Sequence, residues 1–150
     1  MADKQNSDNL LEVRHLRKAF PLKKSLTGKV QKELIAVDDV SFTLKAGETL
    51  GIVGESGCGK TTLGRTILKL HDSNGGEIIF DGKDITNYSN RQMRPLRTDI
   101  QIIFQDPYSS LNPRKTVGQI IGEGMIAHNY FKKNSPRHQE QIQKTMNMCG

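Results

Sequence analysis

The sequence lacks tryptophan and contains only two cysteines, Cys58 and Cys149, among its 150 residues. Two cysteines so far apart do not form the framework of a small disulfide-stabilised domain, and no cysteine–histidine cluster has the spacing of a zinc site. Runs of about 18 apolar residues, which a membrane-spanning helix needs, are also missing. The polar start, residues 1–9, lacks the apolar segment of a secretory signal. These absences predict a soluble, intracellular chain.

Charge and composition set broader limits. The 22 basic and 16 acidic residues give a net charge of +6, and the mean hydropathy is −0.56. The length suits one domain of ordinary size, although 35% hydrophobic residues predict a thin core. The basic residues are scattered along the chain rather than gathered on one helix, so the charge does not indicate a nucleic-acid-binding protein.

Five short apolar or alternating segments predict β-strands, namely 10–16, 36–44, 49–53, 77–80 and 100–104. The second predicts one arm of a hairpin that turns at Gly47, and the third predicts a strand buried on both faces. Asp81 and Gly82 predict a turn after the fourth. The lysine-rich segment 21–29, which contains proline and glycine, predicts an exposed loop.

A helix is predicted after the glycine-rich segment, and from Thr116 onward the pattern is again helical. The first runs from Lys60 to Leu70, with Leu63, Ile67 and Leu70 on one face, and the glycines after Asn74 end it.

The second predicted helix begins near the end of the sequence. Ser135 is its expected N-cap and Pro136 its first residue, and Gly150 stands at the expected C-cap. Its apolar face is expected to contain Ile142, Met146 and Cys149.

A glycine-rich segment between the third strand and the first helix has the pattern G-x-x-x-x-G-K-T. In this motif backbone N–H groups and a helix N-terminus surround the phosphates of a nucleotide. Lys60 adds a charge for the β- and γ-phosphates, and the Thr61 hydroxyl is placed to bind Mg²⁺. The alternative is a glycine-rich turn that binds nothing. The residues expected to bind ATP are Gly54, Glu55, Ser56, Gly57, Cys58, Gly59, Lys60, Thr61 and Thr62.

The second informative segment is FQDPYSSLNPR, residues 104–114. An apolar strand delivers Gln105 to its end, beside a turn-forming Asp-Pro pair. The glutamine amide could contact a metal-bound or attacking water. On this segment alone, the favoured interpretation is a polar residue at a strand end with no such role.

The phosphate loop, Gln105 and the segment 104–114 together resemble the ATPase subunits of oligopeptide and dipeptide ABC importers. The segments 40–42 and 76–82 resemble them too, and the resemblance runs from about residue 11 to 150. It implies ATP hydrolysis with Mg²⁺, coupled to peptide import through membrane permease subunits and a second ATPase subunit. It also implies a cytoplasmic location, peripheral to the inner face of the membrane.

Three alternatives stay open. The importer could carry another solute, such as nickel or glutathione. The chain could be a soluble ABC-like subunit that moves nothing, like those of phosphonate breakdown. An unrelated P-loop kinase is the third.

The resemblance also implies residue roles. Lys60 and Gln105 are the expected catalytic residues, and Gln105 joins Thr61 at the Mg²⁺. Phe20 occupies the place of an aromatic that stacks on adenine. The alternatives for Phe20 are a core residue or a displaced loop residue.

The expected fold is α/β, a P-loop NTPase core of the ABC type with an antiparallel β subdomain and the start of a helical subdomain. Its expected parts are a polar tail (1–9), the core (10–112) and an incomplete helical subdomain (113–150). The sequence contains no LSGGQ-type signature, no Walker B strand ending in Asp-Glu and no switch histidine after one. We therefore expect a marginally folded chain that hydrolyses ATP poorly or not at all by itself.

The four histidines do not follow an Asp-Glu strand, so each is expected to be a surface residue. They are His15, His71, His128 and His138.

Overall fold

The computed structural model describes residues 8–24 and 30–149, which form two compact units that divide between Leu96 and Arg97. The first unit contains the strands β1 (Asn9–Lys24), β2 (Val30–Lys45), β3 (Gly75–Phe80) and β4 (Lys83–Asp84) and the helices α1 (Lys60–Ile67) and α2 (Asn90–Met93). A 3-10 turn, Pro95–Thr98, follows them. The second unit contains α3 (Pro107–Ser110), α4 (Val117–Ala127) and α5 (Pro136–Cys149). Within the described ranges no helix has the length and apolar character needed to cross a membrane.

The four strands form one antiparallel sheet in the order β2-β1-β3-β4. Val13 lies at its centre, opposite Phe42 on one side and Ile78 on the other. Alternate residues of each strand face the same side, so the inward-facing ones form a single apolar layer. The buried hydrophobic residues of this unit are Val13, Leu16, Ala19, Val37, Leu63, Leu68, Ile78, Phe80, Ile85 and Met93.

The predicted loop at 21–29 is wrong for its first four residues. Pro21 pairs with Glu33 and Lys23 with Lys32, so the ribbon of β1 and β2 continues to Lys24. Polar and proline residues are tolerated there because residues 21–23 and 32–35 are exposed, so a missing N–H costs little. Residues 25–29 lie outside the described ranges.

The predicted hairpin at Gly47 is also wrong. The chain does turn there, with Gly47 at φ +80° and Glu48 N–H donating to the Lys45 carbonyl at 3.2 Å. However, β2 pairs with β1 and not with the segment after the turn.

Neither 49–53 nor 100–104 is a strand in the structure. Val53 is 93% exposed and Ile103 is 94% exposed. Both segments are apolar enough for a buried strand, but no described strand hydrogen-bonds to them. An apolar strand becomes stable only when neighbours satisfy its backbone and cover its side chains.

Helix α1 ends three residues before the predicted Leu70. Lys69 adopts a left-handed backbone (φ +54°), which turns the chain out of the helix. Leu63 is buried as expected, whereas Leu70 lies beyond the helix and is exposed. Besides Leu63, the buried residue of α1 is Thr66, which is not one of the predicted apolar residues.

The turn at Asp81 and Gly82 is confirmed, with both residues at positive φ. It joins β3 to the short β4, so that Phe80 pairs with Lys83. Left-handed torsions at both central residues suit the twist of a two-residue hairpin.

In the second unit α4 and α5 pack against each other around Gly122 and His138. A Cβ at Gly122 would lie 2.7 Å from His138 Nε2 and 2.7 Å from Ile142 Cδ1, so a larger residue would force these buried side chains to shift. The start of α5 is confirmed, because the His138 N–H donates to Ser135 Oγ at 3.3 Å and Pro136 is the first helical residue.

Two predictions about this unit need correction. His138 is not a surface residue: it is buried, and its Nε2 lies 3.1 Å from the Gly122 carbonyl oxygen. Of the predicted apolar face of α5 only Ile142 is buried, whereas Met146 and Cys149 are exposed. Ile142 is covered because it lies against Gly118 and Gly122 of α4. The expected C-cap, residue 150, lies outside the described ranges.

Candidate functional site

The glycine-rich loop connects the turn at Gly47 to the start of α1. Gly57 has φ +83° and Gly59 has φ +100°, torsions that favour glycine. A Cβ at Gly59 would lie only 2.1 Å from the Ala36 carbonyl oxygen. The end of the loop is therefore pressed directly against the backbone of β2.

Lys60 folds back over this loop. Its Nζ donates to the carbonyl oxygens of Gly54 and Glu55, each at 2.7 Å, and lies 3.5 Å from Cys58 Sγ. A Cβ at Gly54 would come within 2.7 Å of the same sulfur, so a larger residue would force the Cys58 side chain to move. The loop thus holds the positive charge of Lys60 against two of its own carbonyl oxygens.

The N-terminus of α1 adds to this charge. Its N-cap, Gly59, makes no side-chain cap, and its first turn contains no acidic residue. Free N–H groups and the positive end of the helix dipole favour an anion at such a terminus. Together with Lys60 they can bind phosphate oxygens.

The two threonines after Lys60 differ in exposure. Thr61 is exposed, whereas Thr62 is half-buried. The Thr62 carbonyl accepts a hydrogen bond from Thr66 Oγ1 at 2.8 Å, and Leu63 is buried, so the inner face of α1 is fixed. Thr61 stands on the open side, next to the N–H groups at the N-terminus of α1. An exposed hydroxyl there fits Mg²⁺, which takes oxygen ligands and keeps several waters.

Phe20 lies elsewhere in the same unit, near the end of α1. Its ring contacts the His71 ring edge-on, with centroids 5.6 Å apart, and Lys18 Nζ lies 4.9 Å from the ring centroid. The ring is half-buried, so it is neither a core residue nor fully exposed.

Gln105 belongs to the second unit and not to the one that contains the phosphate loop. It is exposed, at a bend just before α3. The bend is held by Asp106, whose Oδ1 accepts a hydrogen bond from the Tyr108 N–H at 3.1 Å.

A family model described as ABC transporter matches residues 37–150. The chain belongs to this family. The fold class expected from the sequence is therefore confirmed, although the strands at 49–53 and 100–104 are not formed.

Named relatives support this membership. The chain is 50% identical to the oligopeptide transport ATP-binding protein AppF of Bacillus subtilis over 127 residues, 84% of this chain and 39% of AppF. It is 47% identical to the ABC transporter ATP-binding protein YejF of Escherichia coli over 136 residues, 91% of this chain and 26% of YejF. The glutathione import ATP-binding protein GsiA of E. coli is 50% identical over 123 residues, 82% of this chain and 20% of GsiA. The chain thus spans well under half the length of these relatives.

Solved structures show the same fold. A dimeric ATP-binding cassette, MJ0796, bound to ADP and Pi, has a TM-score of 0.75 at 20% identity, covering 92% of this chain and 56% of that one. The cbiO1 protein from Clostridium perfringens, part of the transporter complex cbiONQ, has a TM-score of 0.62 at 28% identity, covering 92% of this chain and 47% of that one.

Sequence reasoning missed the residues that surround Phe20. Lys18, His71 and Asn74 meet there only because β1 packs beside the connection after α1. No local pattern marks such a contact, since its members lie more than fifty residues apart in sequence.

Proposed function

We propose that this chain is the ATP-binding part of an ABC importer ATPase and that its phosphate loop binds Mg-ATP. The observation that carries the proposal is the position of Lys60 Nζ, 2.7 Å from two loop carbonyls and beside the uncapped N-terminus of α1. Bound phosphate oxygens would replace the two carbonyl oxygens as acceptors of the hydrogen bonds from the Lys60 ammonium.

Each predicted residue has a role in this proposal. Lys60 binds β- and γ-phosphate oxygens and stabilises the charge that develops there during transfer of the phosphoryl group to water. Thr61 and Gln105 would hold Mg²⁺, which would supply further neutralisation of phosphate charge. Gln105 orients the attacking water, and Phe20 stacks on the adenine.

Peptides are the proposed solute. Support comes from AppF, whose name describes oligopeptide transport, and from the FQDPYSSLNPR segment. Membrane permease subunits and a second ATPase subunit are the proposed partners, and the inner face of the membrane is the proposed location. The dimeric state named for MJ0796 supports the second subunit.

Glutathione import is the second candidate, because GsiA is as similar in sequence as AppF.

Nucleotide binding is tested with Lys60→Ala and a matched control. Lys83→Ala removes an exposed lysine of β4 that the loop does not use. We expect Lys60→Ala to weaken Mg-ATP binding at least about tenfold in calorimetric titration, because charged hydrogen bonds to phosphate are strong. Lys83→Ala should bind like the wild type. Equal affinity of wild type and Lys60→Ala would contradict the proposal.

Transport is tested in proteoliposomes that contain the whole ATPase and its permeases. ATP hydrolysis should rise with an oligopeptide and its binding protein, and less with glutathione. A larger rise in ATP hydrolysis with glutathione would favour glutathione over peptides as the solute. Failure of the ATPase to co-purify with any permease would favour the soluble, non-transport alternative.

A further inference from the structure

The segment 17–20 of β1, which contains Phe20, is hydrogen-bonded to the connection 71–74 that follows α1. The Asn74 N–H donates to the Arg17 carbonyl at 2.8 Å, and Asn74 Oδ1 accepts from the Ala19 N–H at 2.8 Å. One asparagine thus holds two backbone groups of β1, on either side of Lys18. We call these contacts the Asn74 clasp.

Lys18 makes a second pair of contacts at the same place. Its Nζ donates to the Asp72 carbonyl at 2.6 Å and also lies 4.9 Å from the Phe20 ring centroid. Residues two apart on a strand share a face, so Lys18 and Phe20 lie on the same side of β1. A cation over an aromatic face is attracted to the ring. Lys18 therefore covers one face of Phe20, and His71 meets the ring at a right angle.

The β ribbon also meets the phosphate loop, where Gly59 packs against the Ala36 carbonyl of β2. Ala36 follows Ile35, which pairs with Ala19, the residue before Phe20. The ribbon is thereby fixed to the start of α1 through Gly59 and to the connection after α1 through Asn74.

We infer that Asn74 and Lys18 are positioning residues that hold Phe20 at the correct place and orientation for the adenine base. This inference rests on the proposed function, in which Phe20 stacks on that base. Asn74 fixes the backbone of β1 against the connection after α1, and Lys18 leaves only the opposite ring face to a base. The hydrogen bonds of Asn74 and Lys18 go to β1 and to Asp72 and not to the phosphate loop, so we expect phosphate binding to continue without them.

The test distinguishes the contribution of the adenine base to binding from that of the phosphates. Binding of Mg-ATP and of magnesium tripolyphosphate, which has no base, is measured by calorimetry on the same preparations. We expect Phe20→Ala to weaken ATP binding about tenfold, since stacking of a base on an aromatic ring is of that size. Asn74→Ala and Lys18→Met should weaken it about three- to tenfold. Tripolyphosphate affinity should stay within about twofold of the wild type in all three.

Two further variants serve as controls. Asn74→Asp keeps an acceptor oxygen for the Ala19 N–H and should regain most of the ATP affinity lost in Asn74→Ala. Lys23→Met makes the same change as Lys18→Met at an exposed position of the same strand and should match the wild type. Thermal unfolding of each variant shows whether the fold is retained.

Each remaining outcome counts against the inference. A parallel loss of ATP and tripolyphosphate affinity would mean that the clasp only supports the fold. Unchanged ATP affinity in both Asn74→Ala and Lys18→Met would overturn the positioning role. If Phe20→Ala alone binds ATP normally, the base does not stack there, while the phosphate loop keeps its proposed function. A wild type that binds neither ligand contradicts the proposed function itself.

Discussion

Strand β3 and the segments 49–53 and 100–104 are similar in sequence but differ in surroundings. All three are short and rich in isoleucine, valine or phenylalanine. In β3, Ile78 is fully buried, and its neighbours on β1 and β4 hydrogen-bond to the strand. In 49–53, Val53 is 93% exposed, and no described strand lies beside it.

The difference shows that composition alone does not form a strand. Ile78 is buried because Val13 faces it from β1 and the Thr86 Oγ1 accepts its N–H at 2.7 Å. These contacts come from residues both near and far in sequence. A segment with the same propensity but without such partners keeps its apolar side chains in solvent.

The largest expected effect is at Ile78. Replacement by alanine should lower the free energy of unfolding by about 3–4 kcal/mol, because it opens a cavity in the centre of the sheet. Urea denaturation followed by circular dichroism measures the change.

The matched variant is Val53→Ala, which should change stability by about 0.5 kcal/mol or less, because the side chain is already in solvent. Similar losses in the two variants would mean that 49–53 is covered as well as β3 is.

Glycine 76 tests how closely β3 approaches β1. An alanine Cβ would lie 2.4 Å from the His15 carbonyl oxygen and 2.5 Å from the Arg14 carbonyl oxygen, and φ is +84°. We expect Gly76→Ala to destabilise the fold by about 2–3 kcal/mol, because both strain and overlap oppose it. Thermal unfolding measures the loss.

Gly47→Ala is its control. Gly47 has a similar φ of +80°, but nothing lies within 4 Å of the added Cβ. Strain alone should then cost about 1 kcal/mol. If Gly76→Ala lowers the stability no more than Gly47→Ala does, this result would contradict the short distance between β3 and β1 at Gly76.

The two faces of α4 give a similar contrast in the second unit. Gly122→Ala should destabilise this unit by about 1–2 kcal/mol, because its Cβ would overlap His138 and Ile142. Gly124→Ala, with open space around the Cβ, should stabilise it by about 0.5–1 kcal/mol through helix propensity. Hydrogen exchange of α4 and α5 amides reports both changes, and effects of the same sign would contradict the packing.

The smallest effect is a pH dependence at the β3–β4 turn. The Thr86 hydroxyl, and then the Thr86 N–H at 2.9 Å from Asp84 Oδ1, lower the pKa of Asp84. A carboxyl with a lowered pKa stabilises the fold above its unfolded pKa, near about pH 4, and this contribution is lost as the pH falls through the folded value. Asp84→Asn should therefore flatten the stability curve below about pH 4. If Asp84→Asn loses stability below this pH as the wild type does, Asp84 is not the cause of that loss.

Local patterns predicted those features that depend on nearby residues. The phosphate loop, the start of α5 at Pro136 and the turn at Asp81 follow from spacing, capping and torsional preference within a few residues. The same reasoning was wrong about the hairpin at Gly47, because the partner of β2 is β1 and not the next segment. It was wrong about His138 as well, since burial there depends on a glycine sixteen residues earlier.

The sequence by itself determined the proposed phosphate-binding residues, because the glycines with positive φ, Lys60 and the start of α1 lie within a few residues of one another. It also determined the family, through motifs of adjacent residues. Only the tertiary structure decided which apolar segments are covered, and which residues hold Phe20. Those contacts join residues far apart in the chain, and pairing of this kind depends on packing rather than on local preference.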